Sequence, residues 1–316
     1  MPSAHAGAGR RTGIIRGSSP TMAQEQGTTP VALLRDALAA NANANGGWGY
    51  YPGKISRLEP TCWTLLALGA ADADDGHRAF LEACQQQDGW LVEDARWPVN
   101  IALNAAAAVT WLARPQLATD ERRRRLITAL AGSKGIRAEP LDGSPQDNTL
   151  QGWAWTDGTF SWVEPTAWGL LAMKMARRAG MSGGDDARRI EEAERLLIDR
   201  TCRDGGWNFG NARVLYQDLR PYVPTTALAL LALQDRASET AVVRSLAFLE
   251  SHWSDEISAV SLGLTMICLS AFGRATDEIG RRLAEHVPHA LAFGNLHGIA
   301  TALAALSPES RHVLTL

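Results

Sequence analysis

Glu59 and Glu164 stand in near-copies of one segment, ISRLEPTCWTLLAL (55–68) and FSWVEPTAWGLLAM (160–173). In each, a glutamate, a proline and a threonine precede a run that is almost wholly apolar. A carboxyl group at the head of such a helix has two uses. Buried and unpaired, it keeps its proton near neutral pH and can serve as an acid. At a helix start it is architectural: proline at the first helical position forfeits no hydrogen bond, and the acid offsets the positive helix end. Glutamate is a poorer N-cap than Ser, Thr, Asp or Asn, so the architectural use leaves the choice of residue unexplained.

The elements that must position these glutamates are repeated. NGGWGYYPGKISRLEPTCWTLLAL (45–68), LQGWAWTDGTFSWVEPTAWGLLAM (150–173) and DGGWNFGNARVLYQDLRPYVPTTALALLAL (204–233) share a Gly-Trp, a loop, a Pro-Thr and an apolar helix. Trp48 to Thr61 and Trp153 to Thr166 both span thirteen residues, and Trp207 to Thr225 spans eighteen, an insertion in the third loop. A weaker copy, QDGWLVEDARWPVNIALNAAAAVTWL (87–112), keeps the frame through Trp90 and Pro98.

Between the apolar runs lie charge-laced ones. DARRIEEAERLLIDR (186–200) puts Ile190, Ala193 and Leu197 on one face and the i,i+4 pair Glu191 and Arg195 on another. Such amphipathic helices are expected near 31–44, 75–87, 119–134, 185–202, 239–252 and 276–290. Apolar helices are expected near 60–71, 98–113, 164–179, 224–235, 258–273 and 296–307. The strict alternation predicts an all-α fold, an (α/α)6 toroid of six hairpins with inner and outer layers, and no strand pattern stands out. One toroid domain is expected over 29–316. Residues 1–28, rich in Gly, Ser, Ala and Arg without a continuous apolar segment, read as a disordered tail with Met22 as an alternative start.

A formal charge of −3 offers no basic excess for a nucleic-acid backbone. The four cysteines form no C-x-x-C pair, which suits a reducing, cytoplasmic setting. The stretch 97–113 is too short and too polar at Asn100 and Asn104 for a transmembrane span. That leaves peripheral membrane contact open.

With the Gly-Trp and the apolar helices in place, residues 30–307 resemble the α/α-toroid superfamily of squalene–hopene cyclases and protein prenyltransferase β-subunits. FLEACQQQDGW (80–90) is similar to the glutamine–tryptophan repeat of triterpene cyclases, and CRDGGWNF (202–209) is a second partial copy. The resemblance implies that the repeat's glutamine and tryptophan tie an outer helix end to the next inner helix. On physical grounds the glycine suits a left-handed turn, and the indole can donate to a backbone carbonyl.

The activities of that superfamily are only partly matched. Class II cyclases carry their proton-donating aspartate in D-x-D-D-T-A at an inner helix start, whereas Asp72, Asp74 and Asp75 here precede an outer helix and read as caps. The position corresponding to that motif in the third repeat reads Tyr222, Val223, Pro224, Thr225, Thr226 and Ala227, with no acid. Laid on the motif's threonine, however, Thr61 and Thr166 bring Glu59 and Glu164 onto the proton donor. The Asp-Cys-His set of zinc prenyl transfer is missing, as are the cysteine-rich zinc site of lanthionine-forming toroids and the thioester motif of complement. Toroidal glycosidases, which use two carboxylates in a Trp-lined cleft, fit only loosely.

The expectation is therefore a central apolar cavity for an isoprenoid or another apolar small molecule, with Glu164 and Glu59 as candidate acids and neither cofactor nor metal. Trp48, Tyr50, Tyr51, Trp97, Trp155, Trp162, Tyr216, Tyr222 and His297 are its candidate lining. The alternative is a non-catalytic toroid that binds a lipid or a partner protein.

Overall fold

The computed structural model describes residues 29–69, 75–139, 146–181 and 183–316. The expectations for the tail and for Asp72 and Asp74 lie outside the described residues, as does the side chain of Asp75.

Six outer helices, α1 (Pro30–Ala40), α3 (Asp75–Cys84), α5 (Asp120–Gly132), α7 (Asp186–Asp199), α9 (Thr240–His252) and α11 (Asp277–Phe293), alternate with six inner ones. The inner helices are α2 (Leu58–Ala67), α4 (Ile101–Ala113), α6 (Val163–Arg178), α8 (Val223–Ala232), α10 (Ala259–Ala271) and α12 (Leu296–Leu306). Every expected helix is present. The inner helices pack in the cyclic order α2, α4, α6, α8, α10, α12 and back to α2, so they close a ring, and each outer helix from α5 to α11 packs on the inner helix before it. Nearly every residue of α2, α8 and α12 is buried, as an all-round apolar helix requires, whereas α7 buries Ile190, Ala193 and Leu197 and leaves Glu191 exposed. The expected Glu191–Arg195 pair is not formed.

One backbone clamp recurs and accounts for the repeated threonine. In the first repeat the Trp48 N–H donates to Thr61 Oγ1 at 2.9 Å, and the same hydroxyl donates back to the Trp48 carbonyl at 3.2 Å. Trp153 and Thr166 repeat this at 3.0 and 3.3 Å. In the third repeat the partner of Trp207 is Thr226, at 2.9 and 3.4 Å, which corrects the frame taken from Thr225 by one residue. In the weaker copy (87–112) Leu91 and Asn104 make the clamp, at 2.7 and 2.9 Å, so Leu91 and not Trp90 occupies the tryptophan's slot.

Three indoles then hold the outer layer. Trp48, Trp153 and Trp207 are fully buried and donate to the carbonyls of Leu38, Leu130 and Leu197 at the ends of α1, α5 and α7, at 2.8, 2.9 and 2.6 Å. Arg189 lies 4.0 Å over the Trp153 ring. Gln85, expected to reach an inner helix, bonds instead to Arg122 O of the outer helix α5, at 2.9 Å. Glycine is required before the indole at Gly205, where φ is +94° and a Cβ would come 2.6 Å from Arg244 O of α9.

The loops that lead into the inner helices also cap them. The first N–H of α4 donates to Trp155 O (2.8 Å), that of α6 to Phe209 O (2.9 Å) and that of α12 to Tyr50 O (2.8 Å), each from the next repeat's loop around the ring. For α2 the acceptor is the Glu93 side chain, which also pairs with Arg57 at 2.9 Å. The third loop carries the only strands among the described residues, β1 (Arg213–Val214) and β2 (Gln217–Asp218), a two-residue hairpin that the sequence pattern does not announce.

Candidate functional site

At the N-terminal end of the inner ring lies a cavity of about 170 Å³, lined by Glu59, Trp63, Glu164, Trp168, Phe209, Pro224, Thr225, Leu228, Val260, Leu264 and His297. Counted back from the clamp residues Thr61, Thr166 and Thr226, positions 59, 164 and 224 occupy one register. Each is joined one turn later, on the same helix face, by Trp63, Trp168 or Leu228, and Val260 with Leu264 repeats the spacing on α10. The alanine-rich helix α4 contributes nothing to the lining.

Proline at 60 and 165 sits third in its helix and not first, as expected from sequence; its absent N–H is still one of the unpaired first-turn donors. The glutamate is thereby second in the helix, and its side chain turns inward. Trp63 and Trp168 are buried and meet edge to face at a centroid distance of 5.9 Å, forming an aromatic floor one turn below the two acids.

The two glutamates differ in their partners. Glu59 accepts a short hydrogen bond from the Tyr50 hydroxyl and has His297 Nδ1 3.9 Å away. Burial, with Glu59 second, pushes the Tyr50 phenol far above its usual range, so Tyr50 remains the donor. Burial lowers the His297 pKa against the smaller opposing pull of Glu59, so the imidazole is neutral at pH 7 and the 3.9 Å approach is a contact without charge assistance. Glu164 makes no hydrogen bond or ion pair among the described residues. Burial and, second, the charge of Glu59 push its carboxyl up to about 7, against the positive ends of the inner helices, which favour the ionised form. Arg57, the base closest to Glu59 in sequence, is engaged by Glu93.

Of the lining expected from sequence, His297 faces the cavity and Tyr50 reaches it through Glu59. Trp48 does not line it: its indole is spent on the outer layer and its ring stacks on His77 at 4.9 Å. Trp97 is 67% exposed and Tyr216 is 88% exposed, both outside the cavity. Tyr51 is half-exposed against Phe293, and Trp155 is half-buried with its carbonyl capping α4. Trp162 lies over Gly210 on the rim, and Tyr222 packs on Phe209 and faces a separate groove with Phe248. At Trp155 the backbone carbonyl is turned to α4 as its cap, whereas Tyr216 stands at the tip of the β1–β2 hairpin, away from the ring axis. Trp63, Trp168 and Phe209 form the real aromatic lining, and the i,i+4 spacing in EPTCW and EPTAW is the signal that would have found the first two.

Among the described residues no three His, Cys, Asp or Glu side chains form a metal-ligand group. All four cysteines are buried free thiols, and burial pushes Cys62 up to about 12 and Cys84 up to about 11.

Fold and site together define an all-α ring that holds a desolvated carboxyl over a tryptophan floor. No family model matches the chain. It is 30% identical over 219 residues to a drimenyl diphosphate synthase of Streptomyces showdoensis, a similarity that covers 64% of this chain and 36% of that protein. Its fold is like that of Rex8A from Paenibacillus barcinonensis, solved in complex with an arabinofuranosyl-xylotetraose, with a TM-score of 0.52, 11% identity, and coverage of 89% of this chain and 93% of that one. No helix among the described residues is long and apolar enough to cross a membrane.

Proposed function

We propose that this chain is a proton-transfer enzyme acting on an isoprenoid, with Glu164 as the acid. The observation that carries the reading is the unpaired Glu164 carboxyl, pushed up to about 7 in an apolar, aromatic cavity. At pH 7 about half of such groups hold a proton that an ordinary glutamate would have lost. Transfer to an alkene breaks the Glu164 O–H bond, forms a C–H bond and leaves a carbocation beside the new Glu164 carboxylate. Desolvation strengthens that attraction, and the faces of Trp63, Trp168 and Phe209 add cation–π stabilisation. Glu59, held by Tyr50, places a second acceptor in the same cavity. The similarity to a drimenyl diphosphate synthase supports an isoprenoid as the substrate class.

The test is incubation with squalene and with linear prenyl diphosphates, followed by product analysis for wild type and Glu164→Gln. Cyclised or isomerised product from the wild type, lost in the variant, is expected. Turnover unchanged in Glu164→Gln would remove Glu164 from the mechanism.

One observation favours a second reading, a non-catalytic toroid that holds a smaller apolar ligand or a lipid tail. The cavity, at about 170 Å³, is below the roughly 300–1,000 Å³ of usual ligand sites. Saturable binding of a prenyl chain without turnover would select that reading.

A further inference from the structure

Large apolar side chains are exposed on one end of the ring and almost nowhere else. Among the described residues, all the exposed large hydrophobics except Leu33 and Val243 lie at or beside the loops that lead into the inner helices, the end at which the cavity opens. Each of the six inner helices is preceded by at least one: Ile55, Trp97, Phe160, Tyr216, Ile257 and Phe293, which are 55–88% exposed. Tyr51 meets Phe293 of the neighbouring hairpin, and within the loop before α6 Ile136 bridges Phe160.

The most exposed pair forms the tip of the β1–β2 hairpin. Val214 pairs with Gln217, so Leu215 and Tyr216 are the two turn residues, with φ of 50° and 65°. Two-residue hairpins with positive φ at both positions strongly favour Asn-Gly, Asp-Gly or Gly-Gly, and leucine and tyrosine are poor choices on both conformational and solvation grounds. The turn disfavours them and solvent disfavours them, yet this loop exists only as the third repeat's insertion. A partner surface that takes up both side chains resolves the conflict.

We infer that this face docks a second copy of the chain, with the Leu215–Tyr216 tip of each copy seated on the mouth face of the other. Three observations point to a second copy. First, the exposed apolar groups present on the order of 1,000 Å², from side chains that bury about 150–250 Å² each when aromatic, which is comparable with the roughly 800 Å² per partner of a stable interface. Second, a two-fold interface needs a projection and a recess on the same face. Beside the hairpin's own loop lies a recess of about 320 Å³ of mixed lining, with Ile136, Phe160 and Trp162 on the apolar side and Asn148, Arg200 and Asn211 on the polar side, which suits an apolar tip that carries a tyrosine hydroxyl. Third, charges of both signs alternate around the mouth, Arg57 with Glu93, Arg96 with Asp94, and Arg203 and Arg213 sharing Asp218, with Lys54, Asp157 and Arg220 beside them in the same loops. A rim of mixed sign lets two copies meet with opposite charges facing, and it lacks the block of basic residues that draws a face to an anionic lipid surface. Docking also covers Phe209, which lies half-exposed at the cavity mouth, and so shields the cavity from water.

Sedimentation equilibrium of the full chain between about 1 and 100 µM tests this, with Leu215→Asn/Tyr216→Gly as the variant. Asn-Gly suits the turn, so the variant keeps or raises the thermal midpoint while losing the apolar tip. A wild-type dimer whose dissociation constant rises at least tenfold in the variant, with no loss of thermal stability, is the expected result. A wild type that stays monomeric throughout, or a dimer that the variant leaves unchanged, overturns the inference. So does a monomer that cosediments with phosphatidylcholine vesicles and loses that property in the variant, which would make the face a lipid contact.

Discussion

Replacing Glu164 by glutamine removes a carboxyl whose proton affinity the fold raises. In the unfolded chain this group titrates near its ordinary 4.5 and in the fold at about 7. A folded-state value above the unfolded one means that the fold binds the extra proton between the two. The stability contributed is fully present below about 4.5 and is lost as the pH rises through about 7. At about 1.36 kcal/mol per pKa unit the gap corresponds to about 3 kcal/mol. Glutamine cannot ionise, so the variant escapes this loss, and its stability relative to wild type should rise by about 3 kcal/mol from pH 4 to pH 8. For a chain of this size that is a relative gain of roughly 4–5 °C in thermal midpoint. Buried neutral His297 adds its own dependence, stability present above 6.5 and lost as the pH falls below it, but it is common to both proteins and cancels in the difference. The assay is thermal unfolding of both proteins by circular dichroism at steps from pH 4 to 8. A difference between them that stays flat across that range would refute the reasoning, because it would mean that Glu164 titrates alike in folded and unfolded chains.

Tyr50→Phe removes the hydroxyl that donates to Glu59 and should cost about 1.5–3 kcal/mol in urea unfolding; an unchanged midpoint would mean the bond contributes nothing. Thr166→Val leaves the buried Trp153 N–H unpaired and should cost about 1–3 kcal/mol, whereas Thr225→Val, at a position that lines the cavity without clamping, should cost well under about 1. Equal costs for the two would contradict the clamp frame. Trp153→Phe, which loses the bond to Leu130 O and the Arg189 contact, should destabilise by about 2–4 kcal/mol, whereas Trp97→Phe on the exposed rim should stay within about 0.5, by calorimetry.

The ring was legible because each hairpin repeats the same alternation of an amphipathic and an all-apolar helix, and both periods are strong over ten or more residues. The register inside the repeats was harder to read. Two adjacent threonines, Thr225 and Thr226, offer the same hydroxyl, and only the backbone shows that Thr226 makes the clamp. In the weaker copy Asn104 replaces the threonine and Leu91 the tryptophan, so the conspicuous Trp90 misled by one residue. An all-apolar helix such as α2 has no polar face to reveal which side looks inward, which is why Trp63 and Trp168 escaped notice although Glu59 and Glu164 did not. The loop aromatics erred for a different reason. Composition identifies them, but their direction is set by the path of each loop, which periodicity does not encode: Trp97 and Tyr216 lie in turns that leave their side chains exposed, and Trp162 lies on the rim.

The most direct test of the central claim is the titration of the Glu164 carboxyl itself, followed by carbon-13 NMR of glutamate-labelled protein and assigned by the signal missing in Glu164→Gln. A midpoint near 7 is predicted. A midpoint below about 5, the range of a solvated carboxylate, would contradict the account.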